Sequence, residues 1–243
     1  LLLINHRRNN MSKAILLNRR SFAALGGASL VSGCLASPDM LIGAAMGGAG
    51  NDADFGQLIK SLHAALDKVA DQTEKLFLVQ ASYAEVFGLK KQAASLKGQA
   101  IAIKRDGRTG VNFRKGDKET KGLLKDVQKK INGGAKLDAA AKRKLQNGMK
   151  DHARAIENAW VGGIMIAKVV IDAQSAKKPT FKDLDSLKYL REIVADGPMA
   201  IKFLETSKST YESYSDAFSA EYAVKIPAKP KTKSLMGSGR GRA

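Results

Sequence analysis

Most of what organises this 243-residue chain can be approached through what it lacks. It has one cysteine, Cys34, which excludes an intrachain disulfide and a thiolate metal cluster. It has five prolines, and none lies between Pro38 and Pro179. So long a stretch without a break argues for helices and against a turn-rich sandwich or barrel. Histidine is scarce: His6, His63 and His152. None sits in a Glu-x-x-His or His-Glu-x-x-His arrangement, so ferritin-like di-iron and zincin sites are not expected. His63, Asp67, Asp71 and Glu74 share one helical stripe that could touch a cation, but a solvated acidic face is the commoner meaning of such a stripe. No glycine-rich nucleotide loop is present: the run Gly47-Gly48-Ala49-Gly50 follows no strand. Ser175-Ala176-Lys177-Lys178 matches Ser-x-x-Lys without the companion motifs that give it meaning. No catalytic residue, metal site or cofactor is expected, which points to a non-enzymatic protein.

What is present is helical periodicity. A helix is expected from about Asp52–Asp54, with Asp54 and Gln57 placed as in a capping box. Its seam reads Phe55, Ile59, Leu62, Leu66, Val69, Thr73, Leu76, Gln80, Tyr83 and Phe87, in alternating steps of four and three. The seam then slips by one residue to Val86, Leu89, Ala93, Leu96, Ala100 and Ile103, as at a coiled-coil stutter. That predicts one helix to about Lys104, about 50 residues and about 75 Å long. Asp106-Gly107-Arg108-Thr109-Gly110 ends it, and the loop is expected to last to about Asp117. A short helix carries Leu123, Leu124, Val127 and Ile131, and Asn132-Gly133-Gly134 closes it.

Asp138 can cap the next helix, which should run to about Ser175 on the seam Leu145, Met149, His152, Ile156, Ala159, Gly163, Ile166 and Val170. Trp160–Ile171 is apolar except for Lys168, which predicts a central helix buried all round. Gly162 and Gly163 would let neighbours approach closely. His152 on this seam is expected as a hydrogen-bonded core histidine. Thr180 and Asp183 form a capping box for a short helix to about Ala195 with Leu184, Leu187, Leu190, Ile193 and Val194 as its apolar positions. Asp196-Gly197-Pro198 reads as a stop and restart. The last helix, to about Ala223, has an aromatic stripe of Tyr211, Tyr214, Phe218 and Tyr222. A bundle face with rim hydroxyls is favoured over a partner-binding stripe. The expected fold is all-α, an elongated antiparallel helical bundle with long coiled-coil-like helices over residues 52–224. A basic disordered tail is expected over 225–243.

The first residues follow another logic. Residue 1 is Leu and the first Met is Met11, so Leu1–Asn10 reads as upstream of the start. From Met11 a basic region (Lys13, Arg19, Arg20) precedes a mild apolar stretch, Phe22 to Val31, too short to span a bilayer. Asn18-Arg19-Arg20-Ser21-Phe22 resembles the twin-arginine export motif, with Asn in place of the usual Ser/Thr and Ala23-Ala24 in place of Leu-Lys. Val31-Ser32-Gly33-Cys34 resembles a bacterial lipobox. The resemblance covers residues 11–35 only. It implies cleavage after Gly33, acylation of Cys34 and, with Leu35 rather than Asp following, the outer membrane facing the periplasm. Residues 34–51 would then be the lipidated cysteine and a Gly-rich tether, in which Met40, Leu41, Ile42 and Met46 could touch the membrane or the bundle.

The charge is lopsided. The chain carries 41 basic and 23 acidic residues, a net +18, and residues 1–33 contribute five bases and no acid. Lys90–Arg154 alone holds 19 basic and six acidic residues. In a hairpin bundle this segment would gather at a basic tip around the 106–117 loop, led by Lys104, Arg105, Arg108, Arg114, Lys115 and Lys118. Such a patch attracts anions: lipopolysaccharide, phospholipid or an acidic protein. A merely solvated basic face is the plain alternative. Only Phe113 interleaves the patch, which argues against nucleic acid. The expectation is a lipid-anchored spacer or adaptor of the cell envelope, possible as an oligomer. The alternative is a bundle that inserts into membranes in a pore-forming manner, using Trp160–Ile171.

Overall fold

The computed structural model describes residues 54–106, 109–180, 182–230, 232 and 235. Arg19, Arg20, Phe22, Cys34, the tether and Arg108 lie outside the described residues. Five helices and no strand are found among those described. They are α1 (Phe55–Val86), α2 (Lys90–Asp106), α3 (Gly110–Asn132), α4 (Ala139–Ser175) and α5 (Leu184–Tyr222).

The fold is an all-α bundle. Contacts fix its directions. Lys144 of α4 meets Glu85 of α1, while Gly162 of α4 abuts Val69, so α4 runs against α1. His63 pairs with Glu192, and Phe77 meets Phe203, so α5 runs with α1. The α4 helix packs on α1 and α5 but touches neither α2 nor α3. Those two short helices lie on the opposite face of the α1–α5 pair. The half of the bundle around Tyr83 therefore has five helices in three layers. Around Leu62 the described helices are α1, α4 and α5, joined by no more than the first turn of α3, where Gly110 meets Asp196.

The seams carry the core. All ten α1 seam residues are buried, as are all eight of the α4 seam. Asp54 caps α1 by accepting from Gln57 N–H, and Asp138 caps α4 by accepting from Ala141 N–H. Gly162 and Gly163 face two different neighbours. A Cβ on Gly162 would stand 3.0 Å from the Ala65 carbonyl oxygen, and one on Gly163 would stand 2.7 Å from Leu204 Cδ1. The aromatic stripe of α5 is buried inside the bundle, so it is not a partner-binding surface. At its rim the Tyr222 hydroxyl donates to the Ala135 carbonyl.

Four sequence expectations are corrected. The 75 Å first helix is a hairpin. Gly88 adopts φ +70°, its N–H donates to Glu85 O, and Leu89 N–H donates to Ala84 O. These are the two bonds of a Schellman motif. The one-residue seam slip was the mark of this turn, and α2 folds back so that Lys97 meets Glu85 and Lys104 meets Glu74. The expected 106–117 loop shrinks because α3 already starts at Gly110, whose N–H is accepted by Asp196 Oδ1 at 2.8 Å. Asp196-Gly197-Pro198 does not interrupt α5, which starts after an Asp183 cap rather than at Thr180. Packing against α4 holds the helix through Pro198: a Cβ on Gly197 would come within 2.6 Å of Val170 Cγ2. Finally, Trp160–Ile171 is not buried all round. Val161, Ile164 and Ile171 are about half exposed, because no described helix packs on the outer side of α4.

The segment after Tyr222 turns back onto the bundle. Val224, Pro230 and Leu235 are buried, and Tyr211 hydroxyl donates to Pro227 O. Leu235 reaches the groove at Gly163. The start of the expected disordered tail is thus packed where its apolar residues find the α4–α5 groove.

Candidate functional site

The basic face is built mainly by α3. Phe113, Gly116, Thr120, Leu123, Val127 and Ile131 are buried, so the opposite side of the helix faces solvent. Arg114, Lys118, Lys121, Lys125 and Lys129 line that side in steps of four, three, four and four, and all five are exposed. Helical neighbours at these spacings stand one above another. Lys115 flanks the stripe and is also exposed. Asp117 answers Lys121 at 2.8 Å and also accepts from Thr206, which ties α3 to α5. Asp126 accepts from Gln92 at 2.6 Å and lies 3.5 Å from Lys129. Asp117 and Asp126 thus sit at the edge of the stripe and tie α3 to α5 and α2.

The sequence-derived group does not act as one cluster. Lys104 lies 3.2 Å from Glu74, and Arg105 makes two bonds to Asp106, at 2.6 and 2.7 Å. The hydrogen bond between them lowers the Asp106 pKa and raises that of Arg105. These two cations are already answered, while Arg114, Lys115 and Lys118 stand on the open face. The position is also corrected: Gly110 at the start of α3 bonds Asp196, about a third of the way along α5, and α3 runs from there beside the five-helix half, so the described basic residues do not gather at a tip. Lys121, Lys125 and Lys129 were missed. Their spacing was legible in the sequence, but placing the helix start at Asp117 cut the stripe in two.

A second cluster is wholly internal. Tyr83, His152, Tyr211 and Tyr214 are buried together. Tyr83 hydroxyl lies 3.2 Å from Met149 Sδ and 3.5 Å from His152 Nδ1. Burial pushes the His152 pKa down to about 3, opposed only by a backbone hydrogen bond at Ser207. Burial raises Tyr83 and Tyr214. The imidazole is therefore neutral and structural. The His63 stripe is used differently from a cation site, since His63 pairs with Glu192 of α5. Among the described residues no group of three or more His, Cys, Asp or Glu could hold a metal. A shallow cleft of about 390 Å³ between α3 and α5 is lined by Gln128, Ile131, Asn132, Ala217 and Glu221 and gathers no catalytic set.

No family model matches the chain, and neither characterised proteins nor solved structures show significant similarity to it. No described helix is long and apolar enough to cross a membrane.

Proposed function

We propose that this is an exported, lipid-anchored cell-envelope protein, a non-enzymatic helical spacer or adaptor whose basic face binds an anionic partner. The observation that carries the partner half is the exposed α3 stripe, Arg114–Lys118–Lys121–Lys125–Lys129. Five cations on about 15 residues of one rigid helix, some 22 Å, two of them also paired with Asp117 and Asp126 at the edge of the stripe, form a linear array suited to a polyanionic surface. The lipidation half rests on the lone cysteine, which falls at the one position where a lipobox-like run needs it. Its anchor would be the acylated Cys34 in the outer membrane, with the bundle in the periplasm. Lipopolysaccharide phosphates are the preferred partner class, with anionic phospholipid and acidic protein sharing the same chemistry.

The test has two arms. The chain from Met11 and its Cys34→Ser variant are expressed in a Gram-negative host, and the membrane fractions and the intact mass of the N-terminus are compared. An acylated Cys34 in the outer membrane, lost in the variant, is expected; a soluble, unmodified chain overturns the anchor. In the second arm Lys118→Glu/Lys121→Glu/Lys125→Glu is titrated with lipopolysaccharide against the parent. Affinity should fall at least about tenfold and lose much of its salt dependence. Unchanged affinity overturns the basic face.

A further inference from the structure

The outer side of α4 carries a second surface of opposite character. Val161, Ile164, Lys168 and Ile171 follow one another at steps of three, four and three, with exposures of 58% for Val161, 48% for Ile164 and 53% for Ile171. Further up the same side the exposed residues turn polar: Asp151, Arg154, Glu157 and Asn158. The apolar stripe is thus confined to the three-helix half. Leu184, 72% exposed, stands at the same end, where α5 begins. Between Lys168 and Lys188 the chain has five lysines and three aspartates. Of those aspartates, Asp172 faces Lys168 at 3.8 Å and Asp183 caps α5. This is an aliphatic strip with lysine within and beside it, the pattern of a surface that lies in a lipid interface while its lysines reach the headgroups.

We propose that the lower outer face of α4 docks on an anionic phospholipid surface. A second copy is the poorer occupant. The strip offers three aliphatic side chains, well short of the roughly 800 Å² per partner that a stable protein interface buries, whereas a lipid interface takes such a strip with the lysines around it. The topology agrees. The chain enters α1 at Phe55, at the same end as Leu184, so an anchor ahead of α1 would deliver this end to the bilayer. The α3 stripe lies on the reverse face, two helix layers away, and layers about 9 Å apart leave it beyond a Debye length of about 8 Å from that surface. One face would hold the membrane while the other stays free for its partner. The inference rests on the exported, membrane-apposed reading above.

The experiment uses the chain from position 34 with Cys34→Ser, which contains every contact described here and no acyl group. An environment-sensitive fluorophore is placed at Ile164→Cys in one sample and at Lys121→Cys in another. Each is mixed with phosphatidylglycerol/phosphatidylethanolamine vesicles, with and without brominated acyl chains. The probe at 164 should shift to the blue and be quenched by brominated lipid, and the probe at 121 should not. In unlabelled protein Ile164→Glu/Ile171→Glu should lower vesicle partitioning at least about tenfold with unchanged melting, since both sites are exposed. Silence at both positions, a response at 121 alone, or a concentration-dependent shift at 164 without vesicles overturns the proposal, the last in favour of a second copy. Because no acyl group is present, failure here leaves the Cys34 fractionation result standing, and the reverse is equally true.

Discussion

The two halves of this bundle solve the same problem with different materials. Around Tyr83 five helices enclose Phe77, Phe87, Phe113, Phe203, Tyr211, Tyr214 and Phe218, whose rings meet one another, Tyr83 or His152 edge-on, tilted or stacked at 5.1–5.9 Å. Around Leu62 three helices close on Leu, Ile, Val and Ala, with Gly162 and Gly163 drawing the backbones together. Large rings fill the wider space between more helices; small residues allow closer packing among fewer. The five-helix half carries the basic stripe, with Leu78, Ile101 and Val111 exposed singly on three different helices. The three-helix half has at most the first turn of α3 above it, no described helix covers the outer side of α4, and Val161, Ile164 and Ile171 are exposed there. Each candidate surface thus follows from the number of layers beneath it.

The contrast is easiest to break at its aromatic centre. Phe203→Ala should destabilise the fold by about 3–5 kcal/mol in urea unfolding, because Phe203 bridges Phe77 and Phe113 and its loss leaves a cavity. Ile164→Ala, on the bare side of the other half, should change stability by no more than about 0.5 kcal/mol. Similar losses at the two sites would refute the layer argument.

Acid should attack the same centre next. His152 binds its proton near pH 6.5 when unfolded and only near pH 3 when folded. Between those values the unfolded chain holds more protons, so stability falls as pH drops from 6.5 towards 3. The full loss is on the order of 5 kcal/mol. Denaturant titrations at pH 7, 5.5 and 4.5 should show this acid limb in the parent and a much flatter one in His152→Leu. Equal slopes would mean that His152 is not buried as a neutral ring.

The joint between the halves is the third target. Asp196→Ala removes the acceptor of Gly110 N–H at the start of α3 and should destabilise by about 1–2 kcal/mol. Asp196→Asn keeps an oxygen there and should lose less. Hydrogen exchange should quicken in the first turn of α3 before anywhere in the three-helix half. The smallest effect is expected at Gly88. With φ +70° and open space around it, Gly88→Ala should cost about 1 kcal/mol, read as loosened α2 protection while Leu62 and its neighbours stay unchanged.

How much of this was legible follows the range of each interaction. The α1 and α4 seams, the Asp54 and Asp138 caps, the Asn132-Gly133-Gly134 stop and the close-packing role of Gly162 and Gly163 are local or periodic, and the sequence alone determined them. So were the all-α class, the lone Cys34 and the concentration of charge between Lys90 and Arg154. The remainder depended on partners far along the chain. Gly88 looked like a stutter because both reversal and slip preserve an apolar seam. Gly110 could start a helix early only because Asp196, 86 residues away, supplies the acceptor that Thr109 does not. Pro198 could remain inside α5 because packing against Val170 and Ile166 outweighs a local propensity to stop. Which basic residues are answered by Glu74, Glu85, Asp106, Asp117 or Asp126, and which side of α4 no described helix covers, were likewise decided once the helices packed. Charge and hydrophobicity are properties of residues, but exposure and pairing are properties of neighbours, and those exist only once the helices have packed.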